Sequence, residues 1–208
     1  MKRLLPLAAL ICLPIGAMFT AASQGEKKAS ADLECPYYPL KKGTTWEYKS
    51  GGKVIEVKVA DHETLDGLNC ARVETTIPGG KLTEHLTVKQ EGVFRMRSNG
   101  QDIKPPLLVL KFAANELVPK KDEHWFFECM VQNYSMKGKN TVGEDKLTIG
   151  KTTYDAITVK SSEMFMGNQP VTMQVWYAKD IGMVKQHLKL ASADLDVTLE
   201  LEKFTAGK

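Results

Sequence analysis

"YPLKKGTTWEY", Tyr38–Tyr48, and "VPKKDEHWFFE", Val118–Glu128, are two versions of one phrase. Each passes through a proline, a pair of lysines and a short polar gap to a tryptophan. After Trp46 the chain runs on through a hairpin, "TLDGLNCARVETT", and a strand ending "VKQEGVFRM". After Trp125 it makes a hairpin at Lys137–Lys139, then "TIGKTTYDAITVKS", then "WYAKDIGMVKQ". Gly67 matches Gly150, Val73 matches Ile157, and Gly92 matches Gly182. The offset grows from 79 at the tryptophans to 83 and then 90, as insertions at hairpin tips would produce. Two copies of one unit are expected, residues 36–101 and 119–190, with a last strand, residues 194–204, outside both.

The period between these landmarks is two. "KVIEVKVADH" sets Ile55, Val57 and Val59 against Glu56 and Lys58. "LDVTLELEKF" sets Leu195, Val197, Leu199 and Leu201 against Asp194, Asp196, Glu200 and Glu202. One apolar and one charged face is the mark of antiparallel strands. Glycine turns such as "SGGK", "PGGK", "SNGQ" and "DIGM" separate the runs at hairpin spacing. The fold class is therefore all-β: an antiparallel meander of two similar repeats, as a curved sheet, an open barrel or a sandwich. Short helices at most are expected, and Pro105–Lys120 reads as a short helix or an irregular crossover. The final strand is expected to pair with the first and cover a sticky edge.

The chain has 208 residues, 43% hydrophobic and 25% charged, which suits a globular protein. Lys2 and Arg3 precede an uncharged run, Leu4–Phe19, and the small residues Thr20–Ser23. That order predicts a signal peptide over residues 1–22, cut after Ala22, and a flexible leader over 23–35. Ala29–Ala31 is a poorer cleavage site behind Glu26, Lys27 and Lys28. Retention as an anchor is the alternative, opposed by Pro6, Pro14 and Gly16 in the apolar run. Ile11 before Cys12, and the acidic residues before Cys35, argue against lipidation.

The expected compartment is periplasmic or extracellular, with no membrane span after cleavage. Loss of Lys2 and Arg3 takes the formal charge from +3 to +1. No basic cluster remains to suggest nucleic acid as a partner. An oxidising compartment makes one disulfide among Cys35, Cys70 and Cys129 an expectation, with three possible pairings. Three buried, unbonded thiols are the alternative.

Chemical motifs are sparse. His62, His85, His124 and His187 show no metal-ligand spacing, so no metal or cofactor is expected. No nucleophile elbow, phosphate loop or dinucleotide fingerprint is present, so no catalytic residue is assigned. Glu84, between Leu82 and Leu86, sits in the apolar phase of its strand. A carboxylate facing inward must be paired, hydrated or neutral. It marks a ligand cavity or, the preferred reading, a bulge or strand end. Trp46, Trp125 and Trp176, with Tyr48 and Phe127, could form a binding floor, though core filling is preferred.

"YYPLKKGTTWEY" together with "WYAKDIGMVKQ" resembles TapB-like exported bacterial proteins of unknown function. The shared positions are Tyr38, Pro39, Leu40, Gly43, Trp46 and Tyr48 at the start, and Tyr177, Gly182, Val184 and Lys185 at the end. Asp180–Ile181 departs from that group, as a turn variant. The resemblance covers most of the chain and implies a fold but no catalytic residue. Periplasmic lipoprotein carriers with curved sheets are a fold-level analogy only.

Three functions are open on this reading. The first is an exported, non-catalytic β-protein that binds an apolar small molecule or a partner segment. The second is a structural or interaction module of the cell envelope, with another envelope protein as partner. The third is a hydrolase with a dispersed site.

Overall fold

In a computed structural model, residues 34–208 are described except 78, 115 and 132. The expected signal peptide and most of the leader lie outside the described residues. Twelve antiparallel strands follow one another as a meander. The first six are β1 (Thr45–Ser50), β2 (Lys53–Leu65), β3 (Leu68–Ile77), β4 (Gly80–Lys89), β5 (Gly92–Ser98) and β6 (Gln101–Lys111). The second six are β7 (His124–Val131), β8 (Tyr134–Ile149), β9 (Thr152–Met166), β10 (Gln169–Ala178), β11 (Gly182–Leu190) and β12 (Leu195–Thr205). A 3-10 turn, Ala191–Ala193, precedes β12. Each strand pairs with its sequence neighbours, and β12 pairs with β1 through Trp46↔Phe204, so the sheet is a closed barrel.

The repeated phrase has a physical cause. Thr44 N donates to Lys41 O at 3.1 Å, and Glu123 N donates to Lys120 O at 3.2 Å. The third residue of each turn has positive φ: 86° at Gly43 and 64° at Asp122. Glycine adopts this backbone freely, and aspartate is among the side chains that tolerate it. Each turn then clasps a valine of the following strand. Gly43 N donates to Val59 O at 2.8 Å and Val59 N to Thr44 O at 2.9 Å. Asp122 N donates to Val142 O at 3.0 Å and Val142 N to Glu123 O at 2.8 Å. Both phrases thus turn the chain into a strand, β1 or β7, whose second residue is a buried tryptophan.

Matched landmarks lie six strands apart, which moves the repeat boundaries. Gly92 opens β5 and Gly182 opens β11, each where a side chain would collide. A Cβ at Gly92 would lie 2.0 Å from Leu110 O, and one at Gly182 would lie 3.1 Å from Pro39 Cδ. The expected crossover over Pro105–Lys120 is instead the strand β6 as far as Lys111, and the described residues between it and β7 lie outside any strand. Pro105 and Pro106 hid this strand, because proline offers no ladder donor. The last strand is not outside the repeat: β12 is the sixth strand of the second set, as β6 is of the first.

Eight strands enclose about the space their own side chains fill, and larger barrels leave a cavity or channel. Here two apolar clusters occupy part of the interior. One holds Trp46, Tyr48, Ile55 and Val59, the other Val93, Phe112, Trp125 and Val142. Charged residues such as Glu200 and Lys203 lie on the outside of the barrel while Leu199 and Leu201 are buried. That is the reverse of a membrane-spanning barrel, whose apolar band faces lipid. The segment from Cys35 to Thr44 caps the end where the odd-numbered strands begin. Asp180 N donates to Pro36 O at 2.6 Å, and the His62 imidazole lies 2.7 Å from Leu40 O.

Candidate functional site

Between the clusters lies a cavity of about 180 Å³. It reaches from Tyr38 on the cap to Tyr134 and Met166 beside the turns at the other end. Every strand except β1 contributes to its wall, so the space is slender and distributed. Most of the wall is aliphatic. Five methionines belong to it: Met136, Met164, Met166, Met173 and Met183. Unbranched, polarizable thioethers repack readily around different shapes.

The charged part of the wall lies on β4 and β5, while Thr75, Asn140 and Gln186 add neutral polar groups elsewhere. Glu84 is 8% exposed and lies 2.9 Å from Arg95 Nε through its Oε1. Both groups line the cavity together with Ser98, the cross-strand neighbour of Glu84. A charge in such surroundings persists only with a partner, and here each charge neutralises the other. Tyr38 and Tyr177 lie close by, with ring centroids 5.8 Å apart. Burial pushes the Tyr38 phenol up to about 12, with the Glu84 charge adding to the shift and Arg95 opposing it. Burial, then Tyr38, raises the Tyr177 phenol further. Both phenols therefore stay neutral at physiological pH.

Of the sequence candidates, Glu84 faces the cavity and the tryptophans do not. A register shift does occur beside it, between His85 and Leu86. The bulge and the inward carboxylate are thus both present. Trp46 and Trp125 are 3% and 7% exposed and serve the packed clusters. Their indoles donate to Ile181 O at 2.6 Å and Leu108 O at 3.2 Å. Trp176 is on the outer face, where its indole donates to Asp145 Oδ2 at 2.9 Å and Lys185 lies over its ring. Phe127 is the member of the aromatic set that lines the cavity.

Arg95 was missed by the sequence reading for a definite reason. It is two residues from Arg97, so simple alternation puts both on one face. The shift between His85 and Leu86 sets Arg95 opposite Leu86 but Arg97 opposite His85. Arg95 consequently enters the cavity while Arg97 bonds Asp102 at 2.8 Å. None of the four histidines lines the cavity. Among the described residues, no three His, Cys, Asp or Glu side chains converge as metal ligands.

The expected disulfide is absent. Cys35, Cys70 and Cys129 are free and buried. Burial pushes the thiols of Cys35 and Cys129 up to about 11 and also raises that of Cys70. Thiolate, the reactive form, is scarce at neutral pH. Native protein is expected to show three slow thiols in a colorimetric thiol assay, and denatured protein three fast ones. A fast thiol before unfolding would contradict the burial. The same shifts set an alkaline limit. An unfolded thiol releases its proton near 9.0, the folded Cys35 and Cys129 thiols only near 11. Across that window the folded chain binds more protons, so stability falls as pH rises. Urea midpoints should decline between those two values, and a flat profile would contradict the shifts.

No family model matches the chain, and no curated protein matches it. Among solved structures it is similar to a predicted lipoprotein from Parabacteroides distasonis, at 15% identity and a TM-score of 0.47. That match covers 82% of this chain and 99% of the other. A predicted exported protein with a YmcC-like fold from Bacteroides fragilis is similar at 12% identity and a TM-score of 0.45. It too covers 82% of this chain and 99% of its own.

Proposed function

We propose that this chain is an exported, non-catalytic binding protein that holds a slender apolar molecule inside its barrel. The observation that carries the reading is the cavity: apolar and methionine-rich, with one half-buried ion pair at a single place on its wall. Such a wall takes an alkyl or acyl chain along its length and one polar group near Glu84 and Arg95. Apolar cavities of about 150 Å³ admit a benzene ring, so the present volume suits a short chain before any methionine moves. Export is supported by Lys2–Arg3, the uncharged run and the small residues after it. The TapB-like resemblance agrees with export and with a role that needs no catalytic residue.

The test is binding of cis-parinaric acid, a fluorescent fatty acid with a conjugated tetraene chain whose length calls on the methionines to repack, with native mass spectrometry of protein taken from its own envelope. The expected result is saturable fluorescence and a bound apolar mass. Met164→Trp should fill the cavity and abolish both without unfolding the barrel. A variant that stays folded and binds as well as the parent would overturn the reading. So would a parent that binds no probe and carries no mass.

A further inference from the structure

The barrel has one weak seam. Among the described residues, β6 and β7 pair through two residue couples, Ile103↔Val131 and Lys104↔Met130. On either side, β5–β6 and β7–β8 are paired far more extensively. Beyond Lys104 the ladder cannot continue, because Pro105 and Pro106 have no N–H to donate. Side chains bridge the remaining gap: the Trp125 indole bonds Leu108 O, and Lys111 pairs with Glu123. Leu107, Leu108 and Val109 are consecutive, yet all three line the cavity. The bulge between Val93 and Phe94, where Val109 is the extra residue, breaks their alternation. Consecutive residues of β6 thereby line the cavity close to the place where its pairing with β7 is shortest.

The outer face beside this seam is unlike the rest of the barrel. Phe126 is 72% exposed, Met130 44% and Phe165 36%, on β7 and β9. Lysines are interleaved with them. Lys139 lies over the Phe126 ring at 5.6 Å and Lys137 over the Phe165 ring at 6.0 Å. Lys104 neighbours Met130 across the seam, and Lys160 is exposed on β9. The acids nearby are Glu128, opposite Lys137, and Glu163 on β9. Asp102, further along β6, is held by Arg97 and also pairs with Lys104 at 3.7 Å, which leaves Lys137, Lys139 and Lys160 as the main cations of the ridge.

We propose that the β6–β7 seam is the portal through which the apolar ligand passes, and that this lysine-edged aromatic ridge docks it on an anionic lipid surface. The charge pattern favours a bilayer: rings reach the acyl boundary while ammonium groups a few ångströms away meet lipid phosphates. A chain leaving the leaflet would then enter beside Leu107 and Leu108 without crossing water. The portal rests on the binding reading given above, while docking can be read out without any cargo.

The experiment uses vesicles of phosphatidylcholine with and without phosphatidylglycerol, some carrying cis-parinaric acid. The parent is expected to float with the phosphatidylglycerol vesicles at low salt and to release them at high salt. The variant F126S/F165S/K137E/K139E should lose flotation and take up the probe from vesicles at least about tenfold more slowly, since both apolar and charged attraction are removed. Its affinity for probe added from solvent should be unchanged. A parent that ignores phosphatidylglycerol vesicles, or a variant that floats and loads like the parent, would overturn the proposal. Flotation without probe binding from any source would retain the docking surface, overturn the portal, and sink the cavity reading separately.

Discussion

Trp46→Ala is expected to lower the stability of the barrel by about 3–5 kcal/mol. The indole is 3% exposed, at the point where β1 meets β12 and the sheet closes. Its ring packs against Phe204 with centroids 6.1 Å apart. Its N–H satisfies Ile181 O, and deletion leaves that carbonyl unpaired as well as opening a cavity. Trp125→Ala should fall in the same range, because it holds the matching place on β7 and bonds Leu108 O. Trp176→Ala should lose less, about 1–2 kcal/mol, because its ring is only partly buried where it packs at the edge of the first cluster. Urea denaturation of the three variants checks the order. A loss at Trp176 equal to that at Trp46 would contradict the difference in burial.

Glu84→Gln should destabilise the barrel by about 2 kcal/mol. Arg95 cannot shed its charge, so the substitution leaves a half-buried guanidinium without its carboxylate. Glu84→Leu combined with Arg95→Met should recover most of that loss, because no buried charge then remains. The double variant separates stability from binding. It is expected to keep an apolar wall but lose its preference for a probe bearing a polar group over a plain hydrocarbon. Denaturation midpoints give the first quantity and competition between cis-parinaric acid and an alkane gives the second. If the double variant is as unstable as Glu84→Gln, the ion pair is not the source of the loss.

Strand periodicity, turn spacing and the doubled phrase were local properties, and local chemistry was enough to specify them. Alternation of Ile55, Val57 and Val59 with Glu56 and Lys58 has one compatible backbone. Gly43 and Asp122 are residues that accept positive φ, and each sits where its turn requires one. The inward place of Glu84 was also legible, since its phase is shared with Leu82 and Leu86. That the last strand would cover the first was legible from the edge it would otherwise leave, but the register that closes the sheet, Trp46 against Phe204, exists only in the assembled barrel. The same holds for Arg95: its side depends on one register shift against β4, and a one-residue shift moves a side chain to the opposite face. The β6–β7 seam combines both levels. The prolines that interrupt the ladder are written in the chain, but which strand they face, and what cavity lies behind them, was decided by the twelve strands closing together.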